Sequence, residues 1–155
     1  MILASDWLAD SAATTHIARD KSNFINYWEE IAQIKVLPQE QPSKHTGQGT
    51  VPLGFKVNNK VYSVTLTDVK HTPTVPNNLI SVGWLTDKGH IANFTTNSVE
   101  FTTGSGVIFS IGWKVRWVYQ MQVRPKRLDQ VWDFIAIAKG WTLDKWHWIL
   151  GHVNP

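Results

Sequence analysis

Cysteine is absent from the chain. That removes disulfides, thiol catalysis and thiolate metal sites from these 155 residues. No apolar run reaches the ~18–20 residues that a membrane-spanning helix needs. No basic stretch precedes an apolar one at the N-terminus, so no secretion signal is expected. Charge is also sparse: 17% of residues are charged and the net charge is +3. That is too little to imply a nucleic-acid partner by itself. The sequence shows neither an internal repeat nor a low-complexity tract. What is present is globular composition, 43% hydrophobic, with nine tryptophans. The length suits one domain with a real core and a short additional segment.

Most of the chain reads as short strands. Val51, Leu53, Phe55 and Val57 alternate with Thr50, Pro52, Gly54 and Lys56, and Tyr62, Val64 and Leu66 alternate again after Asn58-Asn59. Two period-two runs around an Asn-Asn pair predict a hairpin. Further strands are expected over 91–95, 98–102, 107–111 and 116–122, separated by polar turns such as Thr103-Gly104-Ser105-Gly106. Many short strands with regular turns predict a closed or nearly closed β structure. Two helices interrupt the pattern. One is expected over 79–88, with Asn78 as N-cap and Gly89 just past its end. In the other, Leu128, Val131, Trp132, Ile135 and Ala138 recur at helical spacing before Gly140. The basic, proline-containing run Arg124-Pro125-Lys126-Arg127 marks a domain boundary and reads as a solvated linker.

One stretch carries chemistry. In Trp7-Leu8-Ala9-Asp10-Ser11-Ala12-Ala13, an apolar strand delivers a carboxylate into a turn of small residues. By itself this fits a turn or a helix N-cap. It also fits the half-site of an aspartic protease, in which two carboxylates share one proton because like charges at close range cannot both ionise cheaply. One carboxylate then acts as base toward water and the other as acid toward the carbonyl. A single copy in a small chain requires a homodimer. The apolar pair and small residues of Leu79-Ile80-Ser81 follow about seventy positions later. The other titratable candidates are histidines. His16, His45, His71 and His90 are expected to be solvated side chains in loops and turns, unrelated to metal.

Asp10-Ser11-Ala12-Ala13-Thr14-Thr15-His16 resembles the Asp-Ser-Gly-Ala-Thr-Ser-His motif of copia-type retrotransposon Pol polyproteins. Gly47-Gln48-Gly49-Thr50-Val51, the stretch 66–73, Asn78-Leu79-Ile80-Ser81-Val82 and Val118-Tyr119 follow in that family's order. Trp146-His147-Trp148-Ile149-Leu150-Gly151-His152-Val153-Asn154 is similar to its Trp-His-x-x-Leu-Gly-His-x-Asn.

The resemblance implies an all-β, retropepsin-like aspartic protease barrel with one or two short helices, then a short α-helical C-terminal segment. It divides the chain into a barrel domain (1–123), a basic and helical linker (124–142) and the start of the zinc-binding GAG-pre-integrase domain (143–155). Asp10 would be the catalytic aspartate, and Ser11 the hydroxyl bracing two half-sites. Gly47, Gln48 and Gly49 would lie in or just after a flap over the substrate. Ala12, Leu79, Ile80 and Ser81 would support the active-site loop. Retropepsins usually have Gly where this chain has Ala12 and Ser81.

His147 and His152 would open a His-His-Cys-Cys zinc site that this chain leaves incomplete. No cofactor is therefore expected here, zinc belonging only to an intact downstream domain. The implied partners are a second copy, if the protein is active, and a polyprotein or peptide substrate. Neither a membrane nor nucleic acid is expected. The implied location is intracellular, cytoplasmic or within a virus-like particle. The alternative is a catalytically inactive relic of a truncated, decaying element. Trp84, Trp113, Trp117 and Trp148 fall where members of the resembled family often carry Arg or another polar residue, as base transitions in Arg codons would leave them. They read otherwise as packing or interface aromatics.

Overall fold

The computed structural model describes residues 1–34 and 43–124. Eleven strands join in one sheet: β1 (Trp7–Asp10), β2 (Ile17–Ala18), β3 (Asn26–Ile34), β4 (Ser43–Val57), β5 (Lys60–His71), β6 (Asn78–Ser81), β7 (Ile91–Phe94), β8 (Ser98–Thr102), β9 (Ile108–Val115), β10 (Val118–Met121) and β11 (Val123–Arg124). A single-turn 3₁₀ helix at Lys21–Asn23 and one α-helix, α1 (Val82–Asp87), complete the described elements. The architecture is all-β, as the alternation predicted, but the hydrogen-bonded path does not close among the described residues. It runs β11-β4-β5-β2-β6-β1-β10-β9-β8-β7, with β3 also on β4. The expected linker and terminal helix beyond residue 124, with His147, Trp148 and His152, lie outside the described residues.

The β4–β5 hairpin is the longest ladder. Val57 pairs with Lys60 across a two-residue turn, where Asn58 adopts φ 54°. Asparagine tolerates that left-handed conformation, which is why Asn58-Asn59 signals the hairpin. Leu53, Phe55 and Leu66 turn inward from this ladder and meet Ile80, Phe101 and Phe109 in the main core. Phe109 sits between Phe55 and Phe101, ring centroids 6.4 and 6.3 Å away. Burying each such ring contributes about 1.5–3 kcal/mol.

Three local expectations are corrected. Residues 78–81 form β6, and the helix begins only at Val82, capped by the Ser81 hydroxyl accepting from Trp84 N. Tertiary pairing decides this: β6 runs parallel to β1, with Trp7 opposite Asn78 and Asp10 opposite Ser81. Asn78 is not a cap. Its side chain donates to Ser5 O and accepts from Arg19 N. The second correction is the strand expected over 116–122. A tight turn at Arg116-Trp117 precedes β10, with Arg116 at φ 57° and Val115 paired to Val118. No glycine or asparagine marks that turn. Gly89, at φ 90°, does end α1 as expected.

The histidines are the third correction. All four expected to be solvated are at most 8% exposed. His16 packs against Ser81 and Trp84, His71 in β5 lies against Phe24 and Tyr27, the β4 ladder holds His45, and the His90 ring packs edge-on to Phe109 at 5.1 Å.

Candidate active-site groove

Asp10 ends β1 in the interior of the sheet, with β6 parallel on one side and β10 antiparallel on the other. Strand pairing stops there because the next residues turn. Oδ1 of Asp10 accepts from the Ala12 backbone N–H at 2.8 Å. This local side-chain-to-backbone bond closes a small turn and fixes the direction of the carboxylate. Asp10 is half-buried, and Ser11 and Ala12 are exposed. The carboxylate and Ser11 open onto a groove of about 360 Å³, whose walls include Leu79, Phe94, Trp117 and Tyr119. Phe94 and Tyr119 stack edge to face at 5.2 Å, and the Tyr119 hydroxyl donates to Thr95 O at 3.0 Å. This pair forms one aromatic wall of the groove. Trp117, at the tip of the β9–β10 turn, is 89% exposed.

Beneath the turn lie residues 79–81. Leu79 and Ile80 pair with Leu8 and Ala9, and Ile80 is fully buried. Ser81 reaches the turn itself, its hydroxyl donating to Ala13 O at 2.6 Å. The same oxygen caps α1 by accepting from Trp84 N at 3.0 Å. A glycine here could make neither bond, so serine has a local structural reason.

Gly47, Gln48 and Gly49 lie in β4 between β3 and β5, beyond segment 35–42. Their glycines follow from close backbone approach. A Cβ at Gly49 would sit 1.7 Å from Asn26 O, and one at Gly47 2.8 Å from Trp28 O. The Gln48 side chain accepts from Lys70 Nζ, which also lies 3.9 Å from Glu30. The structure thus brings Asp10, Ser11, Ala12 and residues 79–81 together, with Gly47–Gly49 in a separate part of the sheet.

Sequence reasoning left two groups without a role. The first is the aromatic wall, of which only the tryptophan excess gave a signal. The second is His16, the last residue of the Asp10 motif. It is wholly buried, its Nδ1 accepts from Ser81 N at 3.0 Å, and its ring lies edge-on to Trp84 at 4.6 Å. Burial pushes its pKa down to about 3. His71 is held similarly. The Arg19 carbonyl can only accept, so Nε2–H donates to it at 3.2 Å, and the one Nδ1 lone pair is shared between the Tyr27 and Thr46 hydroxyls. Desolvation by burial lowers its pKa. Among the described residues, no group of three or more His, Asp or Glu side chains is placed to hold a metal ion.

The fold and groove define an all-β domain that presents one strand-end carboxylate over a partly aromatic cleft. The sequence profile described as Pol polyprotein, beta-barrel domain matches residues 7–90, more than half of the chain, and the chain belongs to that family. No curated protein and no solved structure matches it. The matched span carries Asp10, His16 and residues 78–82, and ends just after α1.

Proposed function

We propose that the chain is the half-site of a retropepsin-type aspartic endopeptidase, active as a homodimer on the Gag-Pol polyprotein of a copia-type element. The observation that carries this reading is Asp10 at the end of an interior strand. Its carboxylate is oriented by Ala12 N–H and opens on a groove beside Ser11. Two such carboxylates facing across a two-fold axis share a proton. The ionised partner takes a proton from water as it attacks the scissile carbonyl, and the protonated partner donates to the carbonyl oxygen. Ser11 braces the two half-sites. Gly47, Gln48 and Gly49 lie in or just after a flap over the substrate. Ala12, Leu79, Ile80 and Ser81 support the loop.

The chain itself needs no cofactor on this reading. Residues 143–155 begin a GAG-pre-integrase domain, where His147 and His152 serve as zinc ligands once downstream cysteines complete the set. The setting is intracellular, cytoplasmic or a virus-like particle.

The deciding experiment is peptide cleavage by the purified chain over a range of protein concentrations. Specific activity should rise with concentration as dimers form, and Asp10→Asn should abolish it. Cleavage that is linear in protein concentration and survives Asp10→Asn refutes the mechanism. A second reading, a relic domain that keeps the fold without the cleavage, draws on the exposed Trp113 and Trp117. Absence of cleavage at every concentration, with the fold intact, selects it.

A further inference from the structure

The turn that carries Asp10 is tethered from below through one residue, Ser81, and Ser81 is itself held by a buried imidazole. The Ser81 hydroxyl donates to Ala13 O at 2.6 Å, and its amide N–H donates to His16 Nδ1 at 3.0 Å. Ser81 is also the register partner of Asp10 across β1 and β6. Position 16 therefore sets where Ser81 stands, and Ser81 sets where the Asp10 turn stands. The far end of the turn is pinned separately. Thr15 Oγ1 donates to Asp68 O at 3.0 Å, and Lys70 N donates to His16 O at 2.9 Å.

The chemistry of the ring makes this contact directional. Because Nδ1 accepts, the neutral ring carries its proton on Nε2, and that nitrogen is buried with no hydrogen-bond partner among the described residues. An imidazole kept only to fill space would be a poor choice, since an orphaned buried donor carries a desolvation cost that an apolar residue avoids. The contact that requires a nitrogen is the one to Ser81. Without an acceptor at that point, the fully buried Ser81 N–H would also be orphaned.

We infer that His16 is a positioning residue for Asp10: acting through Ser81, it fixes the height of the Asp10 turn against β6. This rests on the proposed reading of Asp10 as a protease half-site, because the height of the turn sets how two carboxylates meet across the dimer axis.

The test compares the full chain with His16→Asn, His16→Gln and His16→Leu. Asparagine places its oxygen near the position of Nδ1 and keeps the bond to Ser81. Glutamine keeps polarity and bulk but carries its oxygen farther out, near Nε2. Leucine removes the acceptor. The first readout is hydrogen exchange of the Ser81 amide, referred to the slowest core amides of the same variant, which needs no catalysis. The wild type and His16→Asn should protect it, and His16→Gln and His16→Leu should expose it at least about tenfold.

The second readout is peptide cleavage. It should show kcat lowered about tenfold or more in His16→Gln and His16→Leu with KM little changed, and largely restored in His16→Asn. If His16→Leu does not fold, the Asn–Gln pair carries the comparison. Unchanged Ser81 exchange in His16→Gln, or His16→Asn as impaired as His16→Gln, overturns the inference. A wild-type chain that cleaves nothing sinks the protease reading instead, and Ser81 exchange still decides whether His16 holds the turn.

Discussion

His16 should make this fold sensitive to acid, and the size of the effect follows from its burial. The ring is wholly enclosed and its pKa falls from 6.5 to about 3, with desolvation as the cause. Over that interval the unfolded chain binds a proton that the native state refuses. The contribution is fully present above the unfolded pKa, and stability falls as the pH drops from there toward the folded value. Each tenfold difference in proton affinity between the two states corresponds to about 1.4 kcal/mol. Acidification from near 6.5 to about 4.5 should therefore cost roughly 2–3 kcal/mol through this residue alone. That is a large part of the ~5–15 kcal/mol typical of a domain. Burial also lowers the pKa of His45 and His71, so both act in the same direction.

The assay is urea unfolding at several pH values for the wild type and His16→Asn. The variant keeps an acceptor for Ser81 but cannot titrate. Its stability at neutral pH should be lower because the smaller side chain packs less well. Its decline with acid should be shallower, by about 1 kcal/mol per pH unit in the window below 6.5. Parallel declines for the two proteins would refute the assignment of this sensitivity to His16. The result also bears on the proposed chemistry. A carboxylate pair sharing a proton favours acid, whereas the buried histidines set an acid limit on the fold that presents it.

Three further outcomes are expected. Phe109→Ala should destabilise the domain by about 3–5 kcal/mol in chemical unfolding, because the ring is fully buried between Phe55 and Phe101 and its loss leaves a cavity. Gly49→Ala should cost more than the roughly 1–3 kcal/mol of ordinary overpacking, since its Cβ would collide with the Asn26 backbone oxygen. Exchange of the β3 amides should then accelerate, whereas a wild-type Tm would show that β3 yields easily. Zinc should bind the full chain only weakly, because His147 and His152 bring two imidazoles and no thiolate. Chelator competition reporting sub-micromolar 1:1 affinity, lost in His147→Ala, would mean that a carboxylate such as Asp144 completes a site.

Local chemistry determined much of this protein before any packing. Alternation around Asn58-Asn59 pointed to the β4–β5 hairpin, because a two-residue turn with positive φ accepts asparagine between two runs of period two, although both faces of β4 are buried over 51–55. An apolar run ending in Asp10 and small residues was compatible with a strand followed by a turn, and Gly89 marked where the helix stops. These are short-range effects, written within a few residues of where they act.

Tertiary structure decided the rest, through partners far along the chain. Residues 78–81 became a strand because β1, some seventy residues earlier, offers a parallel edge worth more than one extra helical turn. Arg116 took a left-handed turn because β9 and β10 must pair across it. Gly47 and Gly49 are glycines because β3 crosses closely there, not because the chain turns. The histidines followed the same rule. Nothing beside His16 in the sequence distinguishes it from a loop residue. Its burial, its tautomer and its hold on the Asp10 turn arise only when Ser81 and Trp84 close over it from the far end of the domain.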